Sequence, residues 1–198
     1  MAGAHEELEH SEHIEHASHS NKGIALLISI LALCLAFSET LGKGAQTESI
    51  TANVRSNDAW AYYQAKVIRI KVGQTAAENM ALLSRTVTDP ALKEEMAKQV
   101  EVWRKDAAKD EDDPGRNGRK QQMEKARAAE EERDTALARY HHYEFASAAF
   151  QIGIVLASAT IITGIMALAW IAGGLGVIGL AFMAVGLFAP HVLHLMGH

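Results

Sequence analysis

Several features that usually identify an enzyme or a nucleic-acid-binding protein are missing from this chain. Its single cysteine, Cys34, cannot form a disulfide within the chain. No phosphate-binding loop, nucleophile triad or pair of catalytic carboxylates can be identified. Basic residues form no patch, because acids balance them almost completely after residue 22. We therefore predict that the protein is not an enzyme and does not bind nucleic acid.

Charge is almost absent from two long stretches, although charged residues make up 22% of the chain. Residues 23–41 and 145–196 are strongly apolar, and most of the charge lies between them. Because a helix needs about 20 apolar residues to cross a bilayer, this segregation predicts an all-α membrane protein with three spanning helices. A cleaved signal peptide is the alternative for the first stretch, but the tail before it is acidic rather than basic.

The glycine pair in IAGG (171–174) favours a tight hairpin between the second and third spans. One long re-entrant segment is the alternative. Pro190 either kinks the third span or begins a short interfacial helix. The predicted organisation is a His/Glu-rich tail (1–22), span one (23–42), a charged helical extramembrane domain (43–144), span two (145–170), span three (174–190) and a His-containing C-terminal tail (191–198).

Basic residues near the span ends predict the orientation, because Lys and Arg favour the cytoplasmic side. One side carries Lys22 alone, and the 171–174 turn has no basic residue. The central domain should therefore be cytoplasmic and the N-terminal tail periplasmic. The basic residues on the side of the central domain are Lys43, Arg55, Arg127, Arg133 and Arg139.

The sequence of the central domain predicts long helices that form a bundle or a coiled coil between the first and second spans. No proline occurs from residue 47 to residue 86, and Trp60, Tyr63 and Val67 recur on one helical face. This face is more typical of packing core than of a ligand site. Asp89 followed by Pro90 predicts the start of a second helix, and EDDPGRNG (111–118) predicts a loop before a third.

Two motifs resemble an uncharacterised bacterial membrane-protein family, domain of unknown function 4337. They are ETLGKGAQT (39–47) followed by SNDAWAYYQAKVIR (56–69), and the closing stretch GIVLASATIITGIMALAWIAGGLG (153–176). The resemblance covers roughly residues 23 to 190. It implies a bacterial inner-membrane protein, and it brings no activity, cofactor or catalytic residue.

The tail HEELEHSEHIEHASH (5–19) contains five histidines and five glutamates. On a helix, His10, His13, His16 and His19 are neighbours at three-residue spacing that could chelate a divalent metal such as zinc. The same residues also pair with glutamates four positions earlier, which would give a solvated, pH-responsive helix without any metal. We favour the second interpretation and predict no resident cofactor.

Glu39 is a candidate intramembrane acid near the end of span one. Inside hydrocarbon it would be costly and therefore functional, whereas at the membrane boundary its carboxylate would reach water. The boundary position is favoured because Gly42 and Lys43 follow. A second candidate set is five histidines, which form either a metal cluster or interfacial anchors beside Tyr140 and Tyr143, and we favour anchors. These histidines are His141, His142, His191, His194 and His198.

Small residues Ala149, Gly153 and Ala157 recur every four positions in span two, with Gln151 predicted beside them. Such spacing lets helices approach closely, and Gln can hydrogen-bond across the contact. Few large hydrophobic residues per turn in the central domain also predict partner chains. We therefore expect a homo-oligomeric structural or scaffolding component of the inner membrane, in contact with lipid and open to other membrane subunits. The alternatives are a channel or transporter-like pore, and a metal- or pH-responsive accessory subunit.

Overall fold

The computed structural model describes residues 3–113, 115 and 117–191, with side chains from Lys22 onward. This part of the chain contains four helices and no strand, which confirms the all-α prediction. The helices are α1 (Gly3–Leu83), α2 (Pro90–Glu111), α3 (Arg119–Thr163) and α4 (Met166–Phe188). Three helical stretches are long and apolar enough to cross a membrane: Lys22–Leu83, Arg119–Thr163 and Met166–Phe188.

The chain forms two compact units. The first, here called the membrane unit, comprises Met1–Glu48 and Thr135–His198, and the second, the charged unit, comprises Ser49–Asp134. The membrane unit holds the apolar parts of α1 and α3 together with all of α4. The charged unit holds the remaining parts of α1 and α3 together with α2.

The predicted hairpin at 171–174 is wrong. The break between the second and third spans lies earlier, between Thr163 and Met166, where Gly164 adopts a φ of 71° that side-chain-bearing residues rarely accept. Its amide donates to the Thr160 carbonyl at 2.8 Å, which closes the end of α3. Gly173 and Gly174 instead lie inside α4, because in lipid a backbone satisfies its hydrogen bonds best by remaining helical. Span two therefore ends at Thr163, and span three begins at Met166.

The start and end of α2 agree with the sequence signals. Asp89 caps the helix by accepting a hydrogen bond from the Ala91 amide at 3.0 Å, and Pro90 occupies the first turn. Two i,i+4 ion pairs lie along the helix, with Lys98 Nζ 2.7 Å from Glu94 Oε1 and Lys105 Nζ 3.7 Å from Glu101 Oε1. All four side chains are well exposed, so each pair stabilises the helix by only a few tenths of a kcal/mol.

The loop between α2 and α3 is held by side chains at its base. Asp112 accepts hydrogen bonds from Gln121 Nε2 at 2.6 Å and from Lys120 Nζ at 3.1 Å. These two donors lower the pKa of the exposed Asp112 carboxyl, the Gln121 bond contributing most. Arg119 forms a second link to Glu111, which raises the pKa of the guanidinium. The loop therefore joins the end of α2 to the start of α3, and these side-chain contacts hold the two helix ends together.

The core of the charged unit is built from small residues at steps of four and three along α1. Ala52, Ser56 and Ala59 are buried there, and the series continues through partly buried positions to Ile70 and Ala77. On α3 the buried positions Gln122, Ala126 and Ala129 follow the same steps. Small side chains at such spacing let helix axes approach closely but remove little apolar area from water.

Polar contacts supplement this thin core. Trp60 Nε1 donates to Glu130 at 2.8 Å, and the Trp60 ring packs edge-to-face on Tyr63 with centroids 5.3 Å apart. Lys66 reaches Asp110 of α2 at 2.6 Å, and Arg55 reaches Glu132 of α3 at 2.7 Å. The Trp60 and Tyr63 face is therefore occupied by contacts within the unit.

Candidate functional site

The three helices of the membrane unit pack through glycines of α4. A Cβ added at Gly179 would lie 2.6 Å from the Phe150 ring, and one at Gly176 would lie 2.8 Å from Leu31. At Gly186 it would lie 2.9 Å from the Cβ of His142. Only glycine permits these approaches, so α4 is fitted tightly against α1 and α3. The tight packing gives the rest of the unit a fixed geometry.

The predicted small-residue stripe of the second span lies within this packing. Ala149, Gly153 and Ala157 are all buried. A Cβ at Gly153 would lie 3.2 Å from Leu31 and 3.3 Å from the Ala172 carbonyl oxygen. Gln151 does not share this face and is exposed, because a step of two residues turns a helix by roughly 200°. The stripe therefore packs helices of the same chain together, and Gln151 lies on another face of α3.

Gln151 lines a groove between α1 and α3, here called the boundary groove. The groove has a volume of about 410 Å³, which is within the range of small-molecule sites, roughly 300–1,000 Å³. The predicted acid Glu39 lines the same groove. Its lining residues are Ser38, Glu39, Gly42, Lys43, Gln46, Tyr140, Tyr143, Glu144, Ser147, Ala148 and Gln151. The fold thus brings Glu39 and Gln151, which lie far apart in the sequence, to one site.

The walls of the groove are two helical stripes. Glu39, Lys43 and Gln46 lie at steps of four and three on α1, and Glu144 and Ala148 lie one turn apart on α3. Among the described residues, Glu39 and Lys43 form no ion pair, whereas Glu144 lies 3.4 Å from His141 Nδ1. The groove therefore exposes two carboxylates and one ammonium group, and two of these three charges have no partner in the described part of the chain.

Buried hydrogen bonds hold the floor of the groove. Ser38 is fully buried, and its hydroxyl donates to the Tyr143 carbonyl at 2.9 Å. Beside it the buried His142 places Nε2 3.1 Å from the Pro190 carbonyl oxygen. That oxygen can only accept, so Nε2 carries the proton. His142 Nδ1 is buried and has no partner among the described residues. These bonds fix the spacing of α1, α3 and the end of α4 at this level.

The three histidines of the membrane unit whose side chains the structure describes do not gather into one site. His142 bonds to Pro190, His141 approaches Glu144, and the ring of His191 lies 3.2 Å from Thr135 Oγ1. Within residues 22–113, 115 and 117–191, no three His, Cys, Asp or Glu side chains are placed to hold a metal ion. His194 and His198 lie outside the described residues. So do the side chains of the tail candidates His10, His13, His16 and His19.

Polar residues of the second span do not form a continuous wet stripe in this structure. Ser158, Thr160 and Thr163 donate their hydroxyl protons to carbonyls one turn earlier on α3. Such bonds satisfy the hydroxyl within its own helix and leave the helix apolar to its surroundings. None of these three residues lines the boundary groove described above, whereas Gln151 does.

Sequence reasoning missed Glu144 and Ser38 as members of this site. Glu144 stands directly before the apolar run of α3, and it lines the same groove as Glu39 only because the two helices lie side by side at this level. An acid at the end of each of two apolar runs was the available signal. That signal predicts a shared site only when the register between the two helices is known, and the sequence does not give this register.

Comparison with known proteins agrees with the resemblance. No curated protein and no solved structure matches the chain. The family described as "Domain of unknown function (DUF4337)" matches residues 20–189. These residues include the three packed helical stretches of the membrane unit, the boundary groove and the whole charged unit. The chain belongs to this family of domains of unknown function.

Proposed function

We propose that the protein is a non-enzymatic integral membrane protein that assembles with copies of itself into a scaffold of the bacterial inner membrane. The observation that carries the proposal is an uncharged face of α1 in the charged unit, here called the outer face. Its large side chains are more than half exposed, between 53% and 63%. They are Ile50, Val54, Ile68, Val72 and Leu82.

The outer face is uncharged along its whole length. Its remaining positions are Asn57, Ala61, Ala65, Thr75 and Asn79. It lies on the side of α1 opposite to the buried series that contains Ala52 and Ala59. A helix that only faced water on this side would be expected to carry charges there, as the exposed faces of α2 do. Two apolar faces on one helix favour a helix that is packed on both sides.

The area of the outer face is sufficient for self-association. Five large side chains that each expose roughly 100 Å² of apolar surface offer about 500 Å² per copy. Pairing two copies would therefore bury about 1,000 Å², near the lower limit for a specific interface. A second copy is the favoured occupant because it presents the same uncharged surface, so that no charge on either side is left unpaired. We further propose that helices meet there as a coiled coil.

A charge placed on the outer face should dissociate the assembly. We expect wild-type protein to be a multimer in mild detergent, and Val72→Glu to weaken association at least about 100-fold, since an unpaired buried charge costs roughly 3 kcal/mol. Val102→Glu is the matched control, because Val102 is an exposed valine of α2 outside this face. Light scattering coupled to size-exclusion chromatography measures both. A wild-type monomer, or equal association of the two variants, would contradict the proposal.

The proposed orientation places the charged unit in the cytoplasm and the N-terminal tail in the periplasm. It rests on Lys43 and Arg139 beside the first and second spans, against Lys22 alone on the other side. Three spans put the C-terminus on the side of the charged unit. A C-terminal green fluorescent protein fusion should fluoresce, and a C-terminal alkaline phosphatase fusion should be inactive. The opposite pattern would mean that the orientation is inverted.

A further inference from the structure

We infer that the boundary groove binds the headgroup of a phospholipid that carries a primary amine, of the phosphatidylethanolamine type. The groove holds two carboxylates and one ammonium group at the level where the apolar runs of α1 and α3 end. This combination matches a zwitterion whose ammonium and phosphate lie a few bonds apart. The inference concerns the membrane unit and does not depend on self-association through the outer face.

The carboxylates select the amine. Glu39 and Glu144 can each accept a charge-assisted hydrogen bond from an ammonium group with N–H donors. A choline headgroup has the same charge but no N–H, so it cannot make these bonds. Among the described residues, the Glu39 carboxylate has no ion-pair partner. The Glu144 carboxylate has one charged neighbour there, His141, whose Nδ1 lies 3.4 Å away. Both carboxylates are therefore available to a ligand.

Lys43 supplies the charge for the phosphate. It lies one turn from Glu39 on the same wall of the groove, so an ammonium and a phosphate bound together would each meet the opposite charge. Two carboxylates against one ammonium give the groove a formal charge of minus one. An anionic headgroup such as phosphatidylglycerol, which has a phosphate and no amine, would leave both carboxylates unpaired and is disfavoured.

The uncharged end of the groove points along the apolar part of α3. Ser147, Ala148 and Gln151 follow Glu144 toward the middle of the second span. Gln151 offers an amide at this uncharged end of the groove, and the small side chain of Ala148 leaves room beside it. A polar group such as Gln is costly when it faces lipid chains without a partner. A lipid ester would give Gln151 such a partner.

Native mass spectrometry of the full chain, with lipids added one at a time, tests the inference. We expect phosphatidylethanolamine to be retained about tenfold more than phosphatidylcholine or phosphatidylglycerol, the order of magnitude for losing one charge-assisted bond. The double variant Glu39→Gln, Glu144→Gln should lose this preference. Lys43→Gln should lower the retention of phosphatidylethanolamine and phosphatidylcholine alike, because both carry the phosphate.

Controls separate the site from general effects. Glu124→Gln removes an exposed acid of the charged unit and should keep the preference. Ala148→Trp fills the groove and should reduce retention of every phospholipid. Soluble glycerophosphoethanolamine carries the same headgroup without acyl chains and should not displace the bound lipid. Equal retention of the three lipids, a preference that survives the double variant, or displacement by the soluble headgroup would overturn the inference.

Discussion

Gly179→Val should melt the membrane unit at a clearly lower temperature than the wild type. A Cβ at this position would lie 2.6 Å from Phe150 Cε1 and 2.8 Å from Cζ, and valine adds two further methyl groups. The Phe150 ring is fully buried in the cluster with Leu31 and Ala146, so it has no free space into which it can turn. Overpacking of this kind costs about 1–3 kcal/mol, which lowers Tm by roughly 2–12 °C in a chain of this size.

Cys34 gives this experiment a local readout. It is the chain's only cysteine, and it packs partly buried against the same cluster of Leu31, Ala146 and Phe150. A thiol-reactive dye should therefore report when the membrane unit opens, without a signal from the charged unit. Gly174→Val is the matched control, since Gly174 lies in the same helix and an added Cβ would meet nothing within 4 Å. Equal melting of the two variants would show that the Gly179 contact does not limit stability.

A second substitution identifies the atoms responsible. Phe150→Ala removes the ring that the valine at position 179 would meet, so adding it to Gly179→Val should cost less than the two single effects together. The difference measures the coupling between the two positions, which should be about 1–3 kcal/mol for residues in direct contact. If the free-energy costs of the two substitutions simply add, Gly179→Val acts through a contact other than the one with Phe150.

Much of this arrangement could be predicted from local signals, and the errors have a common cause. Asp89 and Pro90 mark the start of α2 correctly because a cap depends only on neighbouring residues. The turn after span two was misplaced because glycine serves two purposes in membrane helices. Gly164 takes a positive φ and ends α3, whereas Gly176 and Gly179 lie inside α4 and let it approach its neighbours. Composition alone does not separate these two uses.

The boundary groove shows the same limit at the level of the site. The sequence marks Glu39 and Gln151 only singly, Glu39 at the edge of an apolar run and Gln151 within one. Their assembly with Glu144 depends on the register of α1 against α3, which Ser38 fixes through its bond to the Tyr143 carbonyl. The sequence does not indicate this role of Ser38, because a serine in an apolar helix usually donates to a carbonyl of the same helix, as Ser158 does. A single sequence does not give the register of α1 against α3, and for this reason it does not predict the groove.

Asp110→Ala should destabilise the charged unit more than any other removal of a single charge in it. The Asp110 carboxylate lies 2.6 Å from Lys66 Nζ and 3.2 Å from Arg69 Nε. Asp110 and Lys66 side chains are only 11% and 15% exposed, whereas that of Arg69 is 68% exposed. Without the carboxylate, the Lys66 ammonium would remain nearly buried and uncompensated. Loss of one partner from such a pair costs about 3 kcal/mol, while Arg69→Ala should cost under about 1 kcal/mol.

The contact matters because α2 buries little apolar surface, and its links to α3 through Glu111 and Asp112 lie at the loop end and are more exposed. The core of the unit on α1 consists largely of alanine and serine, and α2 contributes only Val100, Ala107 and Asp110 as buried residues. Asp106→Ala is the matched control, an exposed aspartate one turn earlier on α2 with the same change in helix propensity. In a Trp170→Phe background, Trp60 and Trp103 report only on the charged unit, so denaturant unfolding can be followed there alone.

The double variant Lys66→Met, Asp110→Leu separates charge burial from packing. Replacing both members of a buried pair with apolar residues of similar size is often close to neutral, since no charge is then left without a partner. We therefore expect the double variant to recover most of the stability that Asp110→Ala loses, and the midpoint of unfolding to return toward that of Asp106→Ala. A double variant as unstable as Asp110→Ala would mean that the pair acts through its hydrogen-bond geometry, and that α2 is held in register by this contact rather than by the removal of charge from water.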